Sequence, residues 1–94
     1  MNSKFNKALY LLDNGDYEKG ELCLREAISE CKEPFESIQI RCCFAELLME
    51  LERYGEAREC AEYILSNTEE YGDNEQERET AQEILDCIEN EGLI

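Results

Sequence analysis

The chain has 94 residues, a net charge of −15, 43% apolar and 35% charged residues, one Pro and five Gly. That is enough chain for one domain and a composition suited to helices, without the roughly 18-residue apolar run of a membrane span. The acid surplus repels nucleic acid and anionic membrane surfaces and attracts cationic partners.

The charge is unevenly placed. Residues 1–58 hold twelve acids and eight bases, whereas residues 59–94 hold twelve acids with Arg78 as their sole base. The first residues lead into a short apolar patch, Ala8–Leu12, and then meet Asp13 and Asp16. This does not read as a secretory signal, and a cytoplasmic location is expected. The six cysteines are therefore expected to stay reduced. Cys23, Cys31, Cys42 and Cys60 fall on apolar helical stripes and read as core filler. There is no His and no Cys-x-x-Cys. Adjacent Cys42 and Cys43 diverge by about 100° on a helix. No metal centre and no cofactor are expected.

The predicted elements follow one another closely. Ser3 is placed to cap a first helix running to about Asp13, with a stripe of Phe5, Ala8, Leu9 and Leu12. Asn14-Gly15-Asp16 ends it, Gly15 suiting a left-handed position and Asp16 capping the next helix. That second helix, 17 to about 32, shows the stripe Tyr17, Gly20, Cys23, Leu24, Ala27, Ile28 and Cys31. Gly20 and Ala27 would let a neighbour approach closely. Pro34 opens a central helix, about 34–53, which is apolar nearly all round from Ile38 to Leu51 and so should be covered from two directions. Tyr54-Gly55 leads to a fourth helix, about 55–71, and Asp73 is placed to cap a fifth, about 74–91. The fifth has a narrow stripe of Ala81, Ile84, Leu85 and Ile88. Period-two alternation is absent, so the chain reads as all-α, five antiparallel helices in one domain, 1–94.

Shifting the chain by 37 residues aligns Ala8 with Ala45, Leu11 with Leu48, Tyr17 with Tyr54, Gly20 with Ala57, Cys23 with Cys60 and Ile28 with Leu65. This is the pattern of a repeated helical hairpin: 1–33, then 34–72, with 73–94 as a capping helix. Ala8-x-x-Leu11-x-x-x-Gly15-Asp16-Tyr17-Glu18-x-Gly20 with Ala27, and Glu52-Arg53-Tyr54-Gly55-Glu56-Ala57, resemble the tetratricopeptide repeat family. The departures are Arg41, Gly20, Ile64 and the longer first repeat. The resemblance implies a right-handed stack whose first helices line a concave groove. Carried over by position, the groove would present Asn2, Phe5, Leu9 and Leu12, then Gln39, Cys42, Glu46 and Met49, then Glu75, Arg78, Gln82 and Leu85. A carboxylate clamp of the kind some members carry is not expected, because Phe5, Leu9 and Cys43 fill that region.

No catalytic group stands out. Without His there is no nucleophile–His pair, and the glycines are scattered singly rather than gathered in a phosphate loop. Acid pairs such as Glu79–Glu83 read as a solvated face, and Asp73-Asn74-Glu75-x-Glu77 reads as a helix cap rather than a calcium loop. Met49 reads as core or groove, and Tyr63 as either a contact or a snorkelling side chain. The expected role is a non-enzymatic adaptor or small chaperone binding a basic or apolar peptide or helix of another protein. The alternative is an acidic immunity or inhibitor protein. It would neutralise a basic enzyme such as a nuclease through Glu69, Glu70, Asp73, Glu75, Glu79 and Glu83. Self-pairing into a homodimer is a third expectation.

Overall fold

The computed structural model describes residues 3–94. Five helices follow one another: α1 (Ser3–Asp13), α2 (Tyr17–Glu30), α3 (Pro34–Glu50), α4 (Tyr54–Ser66) and α5 (Glu75–Asn90). Among the described residues there is no strand. Each helix packs on the next, and α3 also meets α5. The shortest dimension is 18 Å, room for two layers of helices at the usual interaxial spacing.

The helix starts have local causes. Asp16 Oδ1 accepts from the Lys19 amide at 3.2 Å, as its position before α2 predicts. Pro34 occupies the first turn of α3, and the Glu33 carboxylate accepts from the amides of Phe35 (3.1 Å) and Glu36 (2.7 Å). Three helix ends are closed the same way. After α1 the Asp16 amide bonds back to Leu11 O (2.9 Å), after α3 Arg53 to Leu48 O (2.8 Å), and after α5 Leu93 to Ile88 O (3.0 Å). Each bond spans a left-handed residue: Gly15, Glu52 and Gly92.

Several boundaries differ from the sequence expectation. Ser3 lies inside α1 rather than before it, and α2 stops at Glu30 with Cys31 as its C-cap. The central helix stops at Glu50 because the left-handed Glu52 reverses the chain. The fourth helix ends at Ser66, five residues short of Tyr71. Asn67 Nδ2 donates to Tyr63 O (2.9 Å) and Thr68 Oγ1 to Ile64 O (2.6 Å), satisfying carbonyls that a further turn would have used. Asn74, not Asp73, precedes α5, and its amide group turns to Phe35 O and Glu77 Oε1.

One core draws on all five helices, with α3 at its centre. Ile38, Ile40, Cys42, Phe44, Ala45, Leu47 and Leu48 of that helix are all buried. The two-sided covering expected from its apolar circumference is therefore observed. Alanines make the helix contacts close: Ala8, Ala27, Ala45, Ala57, Ala61 and Ala81 are fully covered. Gly20 has the same use, since a Cβ there would come within 2.6 Å of Leu12 Cδ2. The 37-residue offset reappears in the elements themselves, α1 and α3 ending at 13 and 50, α2 and α4 beginning at 17 and 54.

Candidate functional site

Where α5 lies against α3 the two helices leave a groove made of two adjoining depressions of about 310 Å³ each. One is lined by Glu46, Met49 and Glu50 of α3 with Thr80, Glu83, Ile84 and Cys87 of α5. The other continues it with Gln39, Cys42, Cys43, Gln76 and Glu77, and shares Glu46 and Thr80. The first depression is the more apolar of the two, cysteines lie along both, and carboxylates line both.

Of the residues expected in a partner groove, Gln39, Cys42, Glu46 and Met49 lie together in this one, with Cys42 buried beneath. The other residues expected in a groove lie elsewhere. Phe5 is buried, and Leu9 and Leu12 pack against the core, Leu12 over Gly20. Thus α1 contributes nothing to the lining, because its apolar stripe is consumed in packing on α2. Asn2 lies outside the described residues.

On α5 the groove side is carried by Gln76, Glu77, Thr80, Glu83 and Cys87 rather than by Glu75, Arg78, Gln82 and Leu85. Arg78 turns the other way. Its guanidinium donates to Leu65 O and Thr68 O (both 3.0 Å) and to Thr68 Oγ1 (2.7 Å), closing the C-terminus of α4. Gln82 donates to Asp86 Oδ1 and lines, with Leu85, Arg58, Glu62 and Ile94, a depression on the α4 side. At roughly 100° per residue the expected and observed sets lie on nearly opposite sides of α5, an offset of about two positions, flanking its apolar stripe from either side. Glu77, Thr80 and Glu83 had a legible signal, since they flank the apolar Ala81 and Ile84.

Electrostatics sharpen the groove. Loss of water and then the facing Glu83 carboxylate hold the pKa of Glu46 above the usual carboxylate range. Cys42 sits below, its Sγ 4.0 Å from Glu46 Oε1. Loss of water and the Glu46 charge push the Cys42 thiol up to about 12, despite a hydrogen bond to Thr80. The same two causes push Cys43 up to about 11. These thiols stay protonated at neutral pH and are poor nucleophiles. Among the described residues no group of three His, Cys, Asp or Glu side chains is placed to hold a metal ion. The groove thus offers apolar contact beside Met49 and Ile84 and negative charge from its carboxylates.

Elsewhere most of the bases are committed within the fold. Arg25 and Arg53 share Glu21 and Glu56 in a four-membered network tying α2 to the start of α4. Lys4 pairs with Glu26 and Glu30, and Arg58 with Glu62. Arg41 stacks over the Tyr63 ring at 3.9 Å, which gives the half-exposed Tyr63 an internal partner, and Arg25 lies over Phe44 at 4.8 Å. Glu69, Glu70, Asp73, Glu75, Glu79 and Glu83 are all exposed, and no ion pair among the described residues involves them. Among the described residues no helix is long and apolar enough to cross a membrane. Compared with known proteins, the chain matches no family model, no curated protein and no solved structure.

Proposed function

We propose that this is a non-catalytic, cytoplasmic protein-interaction module, built as a tetratricopeptide-like stack of helical hairpins. Its docking surface is the α3–α5 groove, and its ligand is a peptide or helix of another protein with apolar and basic side chains. The observation that carries this reading is the pairing of Met49, Ile84 and Cys42 with carboxylates (Glu46, Glu83) that form no ion pair among the described residues. Support for the stack comes from the matching hairpin boundaries and from α5 lying against both α3 and α4. The net charge of −15 disfavours nucleic acid and anionic lipid as ligands.

A second reading has its own observation. The six unpaired acids on α5 and the preceding loop would suit an immunity-type protein that covers a basic enzyme such as a nuclease, imitating phosphates. Affinity capture separates the two readings. Wild type is compared with Met49→Gln and with a variant carrying Glu69→Lys, Glu70→Lys, Glu75→Lys and Glu79→Lys, each at low and high salt. A protein lost with Met49→Gln but kept in high salt supports the groove. A protein lost with the charge reversals and with salt supports the inhibitor and removes the groove reading.

A further inference from the structure

Among the described residues no ion pair neutralises the groove. Of the bases, Arg25 and Arg53 are held by Glu21 and Glu56, Lys4 by Glu26 and Glu30, and Arg58 by Glu62. Arg41 is taken up by the Tyr63 ring and Arg78 by the α4 carbonyls. No ion pair among the described residues reaches Glu46, Glu50, Glu77 or Glu83. Yet Glu46 and Glu83 face one another from two helices across one depression, above Met49 and Ile84.

The geometry points to a groove that takes an amphipathic helix of a protein partner, one Lys or Arg of that helix lying between Glu46 and Glu83 and its short apolar side chains resting on Met49 and Ile84. This rests on the groove reading above and adds to it a single cationic anchor. A cation entering there meets two carboxylates at once and removes their mutual repulsion, so its pairing is stronger than at an isolated surface acid. The aliphatic stem of Lys or Arg would lie on the sulfur and methyl groups below. The half-buried thiols of Cys43 and Cys87, with the buried Cys42 below, line the groove beside it.

The test uses a synthetic helix of Leu, Ala and Gln with one Lys in its apolar face, and the same peptide with homocitrulline, a neutral analogue, in place of Lys. Binding is followed by amide NMR shifts on the full chain. Expected are shifts at Gln39, Glu46, Met49, Thr80 and Glu83, with about tenfold weaker binding of the neutral peptide, between the effects of exposed and desolvated ion pairs. Glu46→Gln should weaken the Lys peptide alone, whereas Met49→Gln should weaken both. Equal binding of both peptides in the groove would overturn the cationic anchor and leave the groove reading standing. Shifts confined to Glu69, Glu70, Glu75 and Glu79, or no shift in the groove with either peptide, would overturn both.

Discussion

Gly15 and Glu52, 37 residues apart, are the same left-handed residue in two successive hairpins, with φ of +78° and +60°. Each follows the first helix of its hairpin, and each is bridged by a backbone bond from the next residue, Asp16 to Leu11 O and Arg53 to Leu48 O. The repeat in the sequence is thus also a repeat of chain reversal, performed once by glycine and once by a residue with a Cβ.

That difference predicts a stabilising substitution. A left-handed L-residue costs roughly 1–2 kcal/mol. The greater freedom of Gly in the unfolded chain takes back roughly 0.5–1 kcal/mol. Glu52→Gly should gain about 0.5–1 kcal/mol, or about 2–8 °C in Tm for a domain of this size. Gly15→Glu should lose a similar amount. Urea unfolding of both variants checks this, and a Glu52→Gly midpoint at or below that of wild type would refute it.

Ala45 has no exposed surface and lies at the centre of α3, where neighbouring helices close on it. Trp there has nowhere to go. Ala45→Trp should cost at least about 3 kcal/mol or prevent folding. Leu48→Ala, at an equally covered position, should cost about 2–5 kcal/mol by opening a cavity. Leu22, 57% exposed, is the control. Its change to Ala should stay within about 0.5 kcal/mol. Circular dichroism melts of the three variants give the ranking, and a normally melting Ala45→Trp would contradict the packing described above.

The sequence showed much of this fold because helical period and chain reversal are local. The apolar circumference of Ile38–Leu51 told that α3 is covered on two sides, and Gly15, Asp16 and Pro34 marked helix boundaries that the structure keeps. What it hid was long-range. The early end of α4 depends on Thr68 and on Arg78 reaching back from α5, ten residues further along the chain from Thr68. For the same reason Arg78, which reads as a groove residue by repeat position, is a capping residue. The α3 groove residues were legible from their place in the repeat, two of them (Cys42 and Met49) on the apolar side of the helix, whereas those of α5 depended on a register that the narrow stripe does not fix.

Glu21 is the hub of the network joining α2 to α4, its side chain only 17% exposed between Arg25 (2.8 Å) and Arg53 (2.6 Å). Loss of water works to raise its pKa, but the hydrogen bonds from Arg25 and Arg53 outweigh this and hold it below the usual carboxylate range. With a folded pKa below the unfolded one, its contribution is full above the ordinary carboxylate value and is lost as pH falls through the lowered value. Glu21→Gln should therefore cost about 1 kcal/mol at neutral pH. The gap from wild type should close below about pH 4. Urea midpoints across that range test it, and a gap independent of pH would show that the charge is not what Glu21 supplies.

Glu46 has the opposite sign. Loss of water and Glu83 raise its folded pKa, with Glu77 and Glu83 on α5 and Cys42, Cys43 and Glu50 on α3 facing the same groove. A raised folded pKa means stability that is present below the unfolded value and lost as pH rises through the folded one. Glu46→Gln should thus leave stability unchanged in acid and raise it at neutral pH. Because the residue is exposed, screening limits the gain to about 0.5 kcal/mol. Glu83→Gln should bring the Glu46 pKa back toward the usual range, as read by side-chain carboxyl NMR titration. Glu46→Gln melting lower than wild type at neutral pH would mean that its carboxylate is already neutralised within the fold. An unmoved Glu46 titration in Glu83→Gln would mean that the two acids do not share one groove.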